Sequence, residues 1–201
     1  MTPEADTVYG LGNRKNRYFR AWLAENAVEA FPGTRALIAE LAAAGIRAAV
    51  FSSSQNARDV LQSPAMLNRF EVIVDGQDMA STGLPGKPHP AIKLRAAEQL
   101  GVTHKRTAIV EDAISGVEAG AAGSFAQVVG VDRKGDGAAL ADAGADLVVA
   151  DLAELAIGHG PRLIARLLPS LPRLRDRNDD LRVRLERKRL IFLLPPKYFA
   201  A

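Results

Sequence analysis

The sequence predicts an α/β fold built on a doubly wound parallel sheet, and three observations carry that prediction. Short apolar runs alternate with helical stretches along most of the chain. The runs lack polar alternation, as expected of strands covered by helices on both faces. Polar residues suited to ligands gather where those runs end, which is where such sheets bind. With 201 residues, 48% of them hydrophobic, the chain can bury the core of one domain with a short addition.

The elements follow in order. Gly12 to Ala30 has helical spacing, with Phe19, Trp22, Leu23 and Val28 near one side. Pro32-Gly33 reads as a turn, Thr34 as the cap of a helix and Gly45 as its stop. "IRAAVF" is a continuous apolar strand that runs into Ser52, Ser53 and Ser54 and then a helix, "NARDVLQ". "FEVIVDG" is a second, shorter strand. After "PGKPHP", the segment "AIKLRAAEQLG" is amphipathic and closes at Gly101. "RTAIVED" is a strand ending in two acids, and "AISGVEAGAAG" a helix of small residues. "FAQVVGV", "GAALADAG" and "DLVVAD" add a strand, a helix and a last strand.

Composition narrows the chemistry. The absence of cysteine excludes disulfides, thiolate metal sites and cysteine nucleophiles, and a cytoplasmic location is expected. No apolar run reaches the length of a membrane span, and "MTPEADTVYG" lacks the basic and apolar regions of a secretory signal. The net charge of +3 hides an asymmetry: residues 160–201 hold eleven Lys/Arg against four Asp/Glu, and the remainder holds 15 against 19. Within that basic end, "DLRVRLERKRL" reads as a short helix. It lacks interleaved aromatics, so neither nucleic acid nor an anionic membrane is expected as its partner.

Three features point to an anion and a cation. A strand that opens onto a helix through Ser52, Ser53 and Ser54 suits an anion, because backbone N–H groups point outward there and the helix adds partial positive charge. Capping explains one serine, not three. Lys87 sits in a Pro/Gly-rigid loop, where a fixed lysine can neutralise a phosphoryl group or a carboxylate. Glu111 and Asp112, adjacent at a strand end, can hold Mg²⁺, which prefers oxygen ligands and keeps several waters. The competing reading is that Asp112 merely caps the next helix.

Other patterns carry less. Gly83 and Gly86 have two residues between them instead of four, and Pro88 follows Lys87, so this is no Walker loop. Gly10 and Gly12 have Lys15 where a dinucleotide fingerprint needs its third glycine, and no strand precedes them. His89, His104 and His159 show no zinc spacing. Asp75 and Asp78 read as turn chemistry.

The order hydroxyl, lysine, acidic pair is specific, and here the chain resembles the haloacid dehalogenase superfamily of phosphotransferases. That family's second, third and fourth motifs look like "VFSSS", "GKPHP" and "IVEDAISGVEAG". The β-phosphoglucomutase-like branch, which includes sugar-phosphate phosphatases, is matched further by "LGNRKNRYF", "FPGTRALIAELAAAGIRAAVFSSSQNA" and "VDRKGDGAALADAGADLVVADL". The similarity covers about residues 7 to 155. A response-regulator domain also gathers acids, a hydroxyl and a lysine around Mg²⁺, but there the acidic pair comes first.

The resemblance implies a Rossmann-like core over residues 31–155, the remnant of a helical cap over 1–30, and a tail, 156–201, that does not resemble the family's ending. It implies Mg²⁺-dependent phosphoryl transfer on a small sugar phosphate, by mutase or phosphatase chemistry through an aspartyl-phosphate. On motif match, Ser52 would hydrogen-bond the phosphoryl oxygens and Lys87 would offset their charge. Glu111 and Asp112 would hold Mg²⁺. Ser53, Ser54, Gln55 and Asn56 would line the phosphate or sugar side, and Arg14, Lys15 and Asn16 match the cap segment that closes over substrate.

One departure matters. The family carries its nucleophile in a DxDG motif on the first strand, at the sheet's centre, and this sequence has no such motif. An inactive module that binds sugar phosphate or a partner is therefore the alternative to an enzyme. Without that strand, the serine strand and the acidic strand would face an unpaired gap. A start placed too late, a decayed remnant, or another segment in the gap, supplied by a partner chain or by this one, would each account for it. "LIFLLPP", Leu190 to Pro196, is apolar enough to be that segment and echoes the family's "IFDLDG", with Leu193 and Pro195 in place of the acids. It is expected beside Val50 and Ile109.

Overall fold

A computed structural model describes residues 7–26, 28–61, 67–155, 191–194 and 199–200. Its helices are α1 (Val8–Glu25), α2 (Pro32–Ala43), α3 (Ala57–Val60), α4 (Gly76–Thr82), α5 (Ala91–Gln99), α6 (Ile114–Ala122) and α7 (Gly137–Asp142). The main strands are β2 (Arg47–Phe51), β3 (Val72–Val74), β4 (Thr107–Glu111), β5 (Gln127–Val131), β6 (Leu147–Val149) and β7 (Ile191–Leu194). They form one sheet in the order β3-β2-β7-β4-β5-β6, and every pairing is parallel. Two-residue strands β1 (Glu29–Ala30) and β8 (Phe199–Ala200) pair antiparallel beside it. This is the doubly wound α/β fold that the alternation predicts.

The pleat divides the apolar residues between two cores. Ala48 and Val50 of β2, Ala108 and Val110 of β4, and Val129 and Val131 of β5 pack with Leu37, Ile38 and Leu41 of α2 on one face. Ala49, Phe51, Ile109 and Val128 alternate with them and pack with Ile92, Ala96, Val117 and Leu140 of α5, α6 and α7 on the other. A period of two along each strand thus serves two helical layers, which is why the strands read as unbroken apolar runs.

The centre of the sheet is filled by residues from the far end of the sequence. In β7, Phe192 and Leu194 pair with Ala48 and Val50 of β2, while Ile191 and Leu193 pair with Thr107 and Ile109 of β4. The described part of the apolar segment expected beside Val50 and Ile109, Ile191 to Leu194, lies there, while Leu190, Pro195 and Pro196 lie outside the described residues. The basic stretch Asp180–Leu190 and His159 lie outside the described residues.

Several local expectations are corrected. Helix α1 starts four residues earlier than its apolar spacing suggests, because Thr7 caps it with Oγ1 accepting from the Gly10 N–H at 3.0 Å. Thr34 does not cap α2. Phe31 holds the cap position, Pro32 starts the helix, and Thr34 is buried in the first turn, since proline is preorganised for a helical start. The helix after the serines has only four residues. Asp75 and Asp78, read as a turn, form the capping box of α4, an element the sequence reading missed. No helix among the described residues is long and apolar enough to cross a membrane.

Candidate functional site

Parallel strands bring their carboxyl ends to one edge, so β2 delivers Ser52 and β4 delivers Glu111 and Asp112 on either side of β7. Ser52 is buried. Its N–H donates to the Val74 carbonyl at 2.9 Å, and its Oγ accepts the Ser54 N–H at 3.0 Å. The Ser54 Oγ accepts the Asn56 N–H at 3.2 Å. Each hydroxyl that accepts a bond in this way keeps a proton to donate. Ser53, Ser54 and Gln55 are exposed, so the loop presents donors outward from a fixed base.

That base is α4. The Gly76 N–H donates to the Ser54 carbonyl at 3.1 Å, and Gln77 Nε2 donates to the Gln55 carbonyl at 3.0 Å. Asp75, fully buried, anchors the helix by accepting from Arg58 Nε at 2.9 Å and from the Gln77 and Asp78 N–H groups. A Cβ at Gly76 would stand 2.6 Å from the Ser53 carbonyl oxygen and 2.9 Å from the Gln55 nitrogen, a backbone collision that forces the loop to move. Gly76→Ala should therefore weaken binding of inorganic phosphate by about tenfold, roughly 1.4 kcal/mol, in isothermal titration. Unchanged affinity would separate the serine loop from anion binding.

Helix α1 meets this loop at Asn56. Asn56 Nδ2 donates to Asn16 Oδ1 on α1. Arg14 is half-buried and Lys15 exposed. An open cavity beside α1 is lined by Asn13, Asn16, Arg17 and Arg20. The cationic residues that line it are Arg17 and Arg20.

On the other side of β7, Lys87 Nζ donates to Glu111 Oε1, from a loop whose Lys87–Pro88 bond is cis. Lys93, the third residue of α5, donates to the same oxygen at 3.2 Å and lies 4.5 Å from the Phe51 ring centroid. Lys93 and Glu111 are both 0% exposed. Strand parity explains the meeting: Glu111 follows Ile109 on the face covered by α5, and Phe51 shares that face. A Cβ at Gly116 of α6 would overlap the Glu111 carboxylate, so that residue leaves the acid its space.

Lys93 escaped the sequence reading because a single lysine in an amphipathic helix passes for a solvated one. The available signal was its place on the stripe formed with Ala96, Ala97 and Leu100, all buried.

The acidic pair suits a hard cation. Ala113, not Asp112, holds the cap position of α6, and no side chain caps it, which removes the capping explanation. Glu111 Oε2 and Asp112 Oδ1 are buried oxygens that accept no hydrogen bond. An all-oxygen donor set matches Mg²⁺, which keeps waters for its remaining positions. No cluster of three or more His, Cys, Asp or Glu occurs among the described residues.

Comparison with known proteins gives this edge a lineage. The family model described as haloacid dehalogenase-like hydrolase matches residues 4–123, a span that contains Ser52, Lys87, Glu111 and Asp112. The chain belongs to the haloacid dehalogenase-like hydrolases. Within them it lies in the β-phosphoglucomutase-like branch: it is 48% identical over 154 residues to the β-phosphoglucomutase of Mycobacterium bovis, covering 75% of this chain and 59% of that one. This haloacid dehalogenase-like chain therefore spans less than two thirds of that relative's length.

Solved structures agree. The β-phosphoglucomutase of Clostridium difficile superposes with a TM-score of 0.61 at 28% identity, covering 72% of this chain and 60% of the other. A haloacid dehalogenase family hydrolase from Deinococcus radiodurans, solved with bound phosphate and sodium, gives 0.57 at 31% identity, covering 70% and 62%.

Proposed function

We propose that this site takes the phosphoryl group of a small sugar phosphate together with Mg²⁺, and that the chain by itself binds without transferring. The observation that carries the reading is the convergence of the Ser52 loop, Lys87 and the Glu111–Asp112 pair at one sheet edge. The names of its relatives support the ligand class: a β-phosphoglucomutase at 48% identity, and a hydrolase solved with phosphate at 31%.

In this reading the Ser52 hydroxyl, which keeps its proton while accepting the Ser54 N–H, donates to a phosphoryl oxygen, and Lys87 offsets the phosphoryl charge. Ser53, Ser54 and Gln55 lie toward the open side, where Asn56 and Asn16 join the loop to α1. Glu111 and Asp112 hold Mg²⁺, which when bound supplies neutralisation of phosphoryl charge. The lineage transfers phosphoryl groups by mutase or phosphatase chemistry, with an aspartate as acceptor. Here the strand between β2 and β4 reads Ile-Phe-Leu-Leu, so these residues hold and neutralise the group but do not attack it. Transfer would need an aspartate brought to this edge by another segment or by a partner chain.

The test is phosphate release from a panel of hexose and pentose phosphates, with and without Mg²⁺, beside isothermal titration of the same compounds. Binding without release is expected. Metal-dependent release that Asp112→Ala abolishes would overturn the binding-only reading and make the chain a phosphatase.

A further inference from the structure

Lys93 has no part in the reading above, yet it is wholly enclosed. An ammonium group is buried only at high cost unless a carboxylate or an aromatic face compensates it. Glu111 Oε1 at 3.2 Å and the Phe51 ring supply that compensation here. Lys87 donates to the same oxygen. Two cations therefore converge on the carboxylate that metal binding requires.

The two lysines differ in what they can do next. The Lys87 side chain is 20% exposed and rides on a loop, so it can turn from Glu111 toward an arriving phosphoryl group. Lys93 is held between α5 and the sheet and stays in place. A divalent cation at Glu111–Asp112 meets both ammonium groups in a buried place, where charges interact strongly. A phosphoryl dianion offsets that repulsion.

We propose that Lys93, as a positioning residue, makes cation binding at Glu111–Asp112 conditional on the phosphoryl anion, so that metal and phosphate enter as a pair. The inference rests on the phosphoryl-binding reading of the site. Linkage makes the effect reciprocal: whatever factor phosphate adds to metal affinity, metal adds to phosphate affinity.

The experiment follows Mn²⁺, as a paramagnetic stand-in for Mg²⁺, by the loss of its free EPR signal on the full chain, with and without saturating inorganic phosphate. Phosphate should tighten Mn²⁺ binding to the natural chain by roughly tenfold or more. Lys93→Met keeps the apolar stem without the charge. It should bind Mn²⁺ alone about tenfold tighter, and the gain from phosphate should shrink by a similar factor. Lys93→Gln, which can still donate to Glu111, is read the same way and serves if methionine does not fold.

Equal Mn²⁺ affinity with and without phosphate in the natural chain overturns the inference, with no variant needed. Full coupling retained in a folded Lys93 variant overturns it too, by removing Lys93 as the cause. If the natural chain binds neither Mn²⁺ nor phosphate, the phosphoryl-binding reading itself falls and takes the inference with it.

Discussion

Ending the chain at Arg189 should abolish cooperative folding. Strand β7 pairs along its length with β2 and over three residues with β4, and no other described strand joins the two halves of the sheet. Without it, Val50 and Ile109, both 0% exposed, would border a gap of two strand spacings, about 10 Å. Closing the gap would misalign every helix on both faces. Leaving it open would expose two apolar edges ready to pair with other molecules. The expected loss exceeds the ~5–15 kcal/mol that holds an ordinary domain. Circular dichroism should show no sharp thermal transition, and size exclusion should show aggregates. A transition within about 5 °C of the full chain would mean that β7 contributes little.

The second large effect centres on Glu111. Glu111→Gln keeps the shape of the side chain but removes the charge that compensates Lys93. The Lys93 side chain is fully enclosed. Breaking a buried pair by neutralising one partner costs about 3–5 kcal/mol, chiefly because the other charge is stranded. Urea unfolding should show that loss as a lower midpoint at an unchanged slope. Adding Lys93→Met to Glu111→Gln should recover a good part of it, since the stranded charge is gone. A single-variant loss below about 1 kcal/mol would mean that the pair is effectively solvated.

The residues that announce this site in the sequence are those at strand ends. Ser52, Glu111 and Asp112 each follow an apolar run, and Lys87 stands between prolines and glycines, so position along the chain predicts position in space. Residues whose role depends on a distant partner are not legible in that way. Asn16 and Asn56 meet across one helix and two strands. Lys93 matters only because strand parity turns Glu111 toward α5. The four-residue string Asp75-Gly76-Gln77-Asp78 serves equally as a turn or as a helix start, since both use a carboxylate that accepts nearby N–H groups. The packing of α4 behind the serine loop decides between them.

The placement of β7 also sets a timetable. The strands on either side of it, residues 47–51 and 107–111, are synthesised long before residues 191–194. The pair β3-β2 and the trio β4-β5-β6 can assemble as they emerge, but the strand that joins them arrives after both. Closing so long a loop costs entropy before any pairing repays it, and folding slows as contacts become more distant in sequence. During the wait, β2 and β4 each keep an open edge of the kind that draws nascent chains into aggregates. Yield in the cell should therefore depend on how well these two edges are shielded until residues 191–194 arrive.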